Sequence, residues 1–128
     1  MNLRRLGHCY ELAGRELTDD PNLLNPTLVH GVVGEKERNP HAWIEHDMEL
    51  DGPPGERSLL RMVWEPVSES ELPLDAFLRL FQAEALFSYD QTQAFEWMVK
   101  TRHWGPWEGE YWLIEKQGRR KAVKRRAT

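Results

Sequence analysis

Three residues of this 128-residue chain have the types needed for thiol-based acyl transfer: Cys9, His41 and Glu65. Cys9 is the only cysteine, and it follows Gly7-His8, where a helix is expected to begin. A thiolate is favoured by a neighbouring imidazolium and by the amides at a helix N-terminus, which can also receive an oxyanion. His41 opens the run Pro40-His41-Ala42-Trp43-Ile44-Glu45, and a histidine at a strand start can present its ring at the rim of a sheet. A third group then orients the imidazole and stabilises its charged form. Taken singly, each residue has a plainer role. A lone cysteine in an amphipathic helix is usually a small core residue, and an isolated histidine or glutamate on a strand is usually structural or solvated. Only their joint arrangement points to chemistry.

The elements that must position them are legible along the chain. Leu6, Cys9, Ala13 and Leu17 recur at three- and four-residue spacing, which predicts a helix from about Gly7 to Leu17, ended by Thr18-Asp19-Asp20-Pro21-Asn22. Thr27 to Val33 is β-branched and bounded by Pro26 and Gly34, so it reads as a strand. A second strand is expected from His41 to Leu50 and a third from Ser58 to Val67, with the turn residues Asp51-Gly52-Pro53-Pro54-Gly55 between them. Pairing them around a three-residue loop, Gly52-Pro53-Pro54, sets His41 opposite Glu65 and Glu45 opposite Arg61. On the other face Ala42 then meets Trp64 and Ile44 meets Met62.

Beyond the hairpin, Leu74, Phe77, Leu78 and Phe81 predict a helix after Pro73, and Ala85 to Tyr89 a short strand. Asp90-Gln91-Thr92-Gln93 reads as the cap of a last helix through about Thr101, broken by His103-Trp104-Gly105-Pro106-Trp107. Glu110 to Glu115 is amphipathic but too short to assign. The order predicts an α+β domain over residues 1–117, with helices packed on an antiparallel sheet.

Composition agrees with a folded domain. Charged residues make up 30% and hydrophobic ones 40%, and no apolar run reaches the ~18–20 residues of a membrane span. One cysteine forms no internal disulfide, so a cytoplasmic location without membrane contact is expected. The net charge of −4 hides an asymmetry, because residues 118–128 carry six basic and no acidic side chains. That tail, expected to be flexible, is a candidate for contact with nucleic acid or an acidic partner, against the simpler reading of a solvated terminus. No metal or cofactor is implied: His41 and His46 point to opposite faces of one strand, and there is no zinc-type spacing or phosphate-binding loop. His8, beside Cys9 on a helix, points away from it.

The segments Gly7-His8-Cys9-Tyr10-Glu11-Leu12-Ala13-Gly14, Leu28-Val29-His30-Gly31-Val32-Val33 and His41-Ala42-Trp43-Ile44-Glu45 resemble small bacterial and phage proteins of the transglutaminase-like/papain-like superfamily. In those proteins an Asp-Pro step at the end of the hairpin's second strand supplies the acid. Here Trp64-Glu65-Pro66-Val67 stands at that place, with glutamate for aspartate, and no glutamine precedes Cys9 as an oxyanion donor. The resemblance implies a cysteine hydrolase or acyltransferase acting on a peptide or protein amide, with Cys9 as nucleophile, His41 as proton carrier and Glu65 as orienting acid. Trp43, His103, Trp104 and Trp107 are the candidate substrate-binding residues, the last three as the rim of a cleft. Six tryptophans can equally serve core and loop packing. The alternative is a non-catalytic binding protein on the same scaffold, engaging a protein or nucleic-acid partner.

Overall fold

A computed structural model of the chain describes residues 8–56 and 58–108. The chain runs through helix α1 (Cys9–Asp19), strands β1 (Leu24–Val33), β2 (Asn39–Leu50), β3 (Ser58–Glu65) and β4 (Ser70–Pro73), helix α2 (Leu74–Leu80), strand β5 (Glu84–Tyr89) and helix α3 (Gln91–Thr101). The five strands form one antiparallel sheet in the order β4-β3-β2-β1-β5. This is the expected α+β class with one additional strand. β4 is four residues long, too short to register as an alternation, and it ends in Pro73, which an edge strand tolerates because no ladder donor is needed there. Among the described residues no helix is long and apolar enough to cross a membrane. The amphipathic stretch 110–115 and the basic tail 118–128 lie outside the described residues.

Side-chain alternation divides the core between the two faces of the sheet. On one face Leu28 and Val32 of β1 and Ala42 and Ile44 of β2 pack with Cys9, Tyr10, Ala13 and Leu17 of α1 and Ala94 of α3. On the other, Val29, Trp43 and Val63 pack with Phe77 of α2. Trp43 and Phe77 are fully buried with ring centroids 4.9 Å apart, and burying such a side chain is worth roughly 1.5–3 kcal/mol. The seven-residue α2 therefore holds its place by one aromatic anchor rather than by length.

Two local devices fix the ends of the elements. At α3 the expected cap is present: the Asp90 carboxylate accepts the Gln93 N–H at 2.8 Å, and the Gln93 side chain accepts the Asp90 N–H at 2.9 Å, a reciprocal capping box. The β2–β3 hairpin differs from expectation. Its turn is closed by the Glu56 N–H donating to the Pro53 carbonyl at 3.0 Å, and Gly55 has φ 87°. Proline followed by a positive-φ glycine at the two central positions is the type II arrangement. The turn is thus centred on Pro54-Gly55, not on Gly52-Pro53-Pro54.

That displacement moves the register by two residues. Ile44 pairs with Trp64, His46 with Met62 and Asp47 with Arg61, so His41 is not directly opposite Glu65, Ala42 does not face Trp64, and Glu45 does not face Arg61. A two-residue slip preserves which side chains share a face, whereas a one-residue slip would invert them. Arg61 accordingly still reaches Glu45 at 3.8 Å, while making its short contact with Asp47 at 3.0 Å. It also donates to the Asn25 carbonyl and to Thr27 of β1, tying three strands together.

Candidate active site

Cys9 is the first residue of α1 and is buried at 6% exposure. His8 occupies the N-cap position without a side-chain hydrogen bond to the helix, so no side chain from that position competes for the first-turn amides. Cys9 stands on the buried side of the helix with Ala13 and Leu17, against the sheet.

His41 lies on β2 beyond the last β2–β3 pair, Ile44 with Trp64. Its Nε2 is 2.5 Å from Oε2 of Glu65, and the Cys9 side chain is near enough to raise the proton affinity of the same ring. With Nε2 engaged by the carboxylate, Nδ1 is the nitrogen left to face the thiol. Cys9, His41 and Glu65 therefore come together, and Glu65 reaches the ring diagonally rather than from directly across. The extra methylene of glutamate over aspartate suits that longer path.

The carboxylate is held from its other side by residues that sequence reading missed. Glu65 Oε1 accepts the Ser68 N–H at 2.7 Å and the Ser68 hydroxyl at 2.5 Å, and Oε2 accepts the Val67 N–H at 3.2 Å. Ser68 Oγ lies 2.6 Å from Ser70 Oγ. A signal was present in Glu65-Pro66-Val67-Ser68, where an acid followed by proline and, three residues on, serine suits a side chain folding back onto its own turn.

The electrostatics follow from these contacts. Burial alone would pull the His41 imidazole down, but hydrogen bonds with Cys9 and Glu65, reinforced by their charge, carry it up to about 9. Burial likewise opposes ionisation of Glu65. The His41 and Ser68 hydrogen bonds overcome it and hold the carboxyl at about 2. At neutral pH the pair is an imidazolium and a carboxylate.

The four candidate substrate contacts separate. Trp43 is corrected: it is wholly buried under α2, and its indole N–H donates to Glu45 Oε2 at 3.2 Å. Strand alternation sends it into the core, so it presents no surface to a substrate. Trp107 is also turned to packing. Its ring lies 5.0 Å from Tyr89, 5.1 Å from His30 and 5.9 Å from Trp97, and its indole N–H donates to the His103 carbonyl at 2.9 Å. His103 and Trp104, by contrast, line an open groove of about 540 Å³ between α1, the end of α3 and the 103–106 loop. Trp104 rests on Gly14, where a Cβ would meet the ring at 2.3 Å. His8 and Tyr10, the sequence neighbours of Cys9, line the same groove.

One buried histidine escaped the sequence reading. His30 of β1 is fully buried among Tyr10, Tyr89 and Trp107, at 4.9, 5.1 and 5.1 Å between ring centroids, and burial pushes it down to about 3. Among the described residues no group of three or more His, Cys, Asp or Glu side chains is arranged to hold a metal ion. Comparisons of the chain with protein-family models, with curated proteins and with solved structures find no match.

Proposed function

We propose that this protein is a cysteine-dependent amide hydrolase or acyltransferase of the transglutaminase-like kind, using Cys9, His41 and Glu65. The observation that carries this reading is the position of His41, 2.5 Å from a Glu65 carboxylate that is itself pinned by Ser68, with the Cys9 side chain near enough to act on the same ring. The start of α1 supports it, because the amides around Cys9 are suited to an oxyanion. The Cys9 sulfur attacks the carbonyl carbon of a peptide or protein amide. The carbonyl π electrons move to oxygen, near the α1 N-terminus. As the tetrahedral species collapses the C–N bond breaks, and the His41 imidazolium gives its proton to the departing amine. The neutral imidazole then takes a proton from water or an acceptor amine, whose attack on the carbonyl breaks the thioester C–S bond, expels the Cys9 sulfur as thiolate and leaves His41 again as imidazolium. Glu65 holds the ring and stabilises its charged form throughout.

The direct test is alkylation of Cys9 by iodoacetamide at neutral pH. The expected rate exceeds that of an unperturbed thiol and falls in His41→Ala. A rate no faster than the unperturbed thiol, or one indifferent to that substitution, sinks the activated-nucleophile reading.

A further inference from the structure

The groove beside the α1 N-terminus has a charge unlike the acidic stretch 8–108 that contains it. Between residues 8 and 108 the chain carries eight Lys and Arg against nineteen Asp and Glu, a formal charge of −11. The groove reverses that balance locally: Arg15 and Arg102 stand against Glu11 alone among its charged lining residues. Arg15 is engaged by Glu11 at 2.8 Å. Among the described residues no ion pair engages Arg102.

Arg102 ends α3 in the left-handed conformation, φ 67°, where glycine is the usual occupant. Next to it, His103 accepts the Gly105 N–H at Nδ1, 3.1 Å away, which leaves Nε2 as the protonated, donating nitrogen of the neutral ring. Trp104 supplies an apolar wall. The volume of about 540 Å³ lies within the ~300–1,000 Å³ of ligand clefts, room for a residue or two of peptide.

We propose that this groove receives a carboxylate-bearing residue of a peptide, its charge held by Arg102 and the His103 Nε2 proton and its apolar part laid on Trp104. The inference rests on the reading of Cys9 as nucleophile, whose sequence neighbours His8 and Tyr10 line the groove. It names the substrate class of that site: acidic peptide segments, or peptide ends with a free carboxylate. A peptide rather than a nucleic acid is the occupant, because the strongly acidic body surrounding this small basic patch repels an extended polyphosphate chain.

Binding is measured with Cys9→Ser protein, so that no chemistry intervenes, by following amide and indole NMR shifts as probes are added. The probes are an N-acetylated, C-amidated tripeptide with a central glutamate, the same peptide with central lysine, an N-acetylated trialanine with a free carboxylate, and a short oligothymidylate. At least one carboxylate probe should shift Arg102, His103 and Trp104 signals and bind roughly tenfold or more tightly than the lysine peptide. Which of the two does so separates a side-chain carboxylate from a terminal one. That preference should disappear in Arg102→Gln. Equal binding of the lysine peptide, a preference that survives Arg102→Gln, or tighter binding of the oligothymidylate overturns the proposal. The alkylation test above keeps the two readings apart: slow alkylation with intact peptide binding sinks the nucleophile alone, and fast alkylation without binding sinks the groove alone.

Discussion

Two histidines should tilt the pH dependence of stability in opposite directions, with a crest near pH 6.5. His30 is buried among aromatic rings and held down at about 3, against about 6.5 in an unfolded chain. Below pH 6.5 the unfolded chain takes up a proton that the folded one refuses. The contribution of His30 is therefore complete above 6.5 and lost as pH falls toward 3. His41 has the opposite sign. Its imidazole is raised to about 9, so its contribution is complete below 6.5 and lost as pH rises through 9. Each limb has a limiting slope of about 1.4 kcal/mol per pH unit. The span from 6.5 to 4.5 thus costs ~3 kcal/mol through His30, and the full span to 9 costs ~3 kcal/mol through His41, against a total of ~5–15 kcal/mol for a typical domain. Glu65, held at about 2, adds its own loss only as pH falls below its ordinary range and toward 2. Urea unfolding at half-unit steps from pH 4.5 to 9 reads both limbs. His41→Gln should flatten the alkaline one and leave the acid one, and His30→Phe should do the reverse. A wild-type curve that is level from pH 4.5 to 6.5, or limbs that persist in the matching variant, would refute the burial and hydrogen-bond argument for these two rings.

Three further changes isolate other parts of the structure. Glu65→Gln removes the charge 2.5 Å from His41, and the His41 titration followed by NMR should move from about 9 toward its ordinary value; an unmoved midpoint would mean that Glu65 does not support the imidazolium. Ser68→Ala deletes the hydroxyl bond to Glu65 but keeps the backbone one, so the His41 midpoint should fall by less than in Glu65→Gln, with ~1–3 kcal/mol lost on unfolding. Ser68→Thr, which keeps a hydroxyl, should recover most of both, and a failure to do so would count against that hydrogen bond. Phe77→Ala empties the fully buried anchor of α2 and should cost about 3–5 kcal/mol in denaturant unfolding, while a loss below ~1 kcal/mol would show that α2 is not held through it.

How much was legible depended on whether the controlling interaction is local. The capping box at Asp90 and Gln93 could be read because its partners lie three residues apart. Helix α1 could be read because Cys9, Ala13 and Leu17 share one stripe. The hairpin could be foreseen, but its register turned on which two residues occupy the centre of a Gly-Pro-Pro-Gly run, and opposite-charge pairing could not decide it. Arg61 is long enough to satisfy both Asp47 and Glu45, so the ion pair is compatible with either register. Trp43 was misread because periodicity shows that a side chain alternates, not whether a helix covers the face to which it points. Arg102 drew no notice at all, since an arginine after a helix is unremarkable until the groove around it exists.

The sequence by itself determined the α+β class, the order of most elements and the presence of one thiol, one strand-start imidazole and one acid on the strand that follows. Those are properties of residue type, short-range spacing and alternation. Tertiary structure alone decided that Glu65 reaches His41 diagonally, that Ser68 holds it, that His30 is sealed among aromatic rings, and that Arg102 faces a groove lined by the sequence neighbours of Cys9. Each depends on residues distant in sequence or on a turn's exact placement, and the energies that select among such arrangements come from burial and contact that no local pattern encodes.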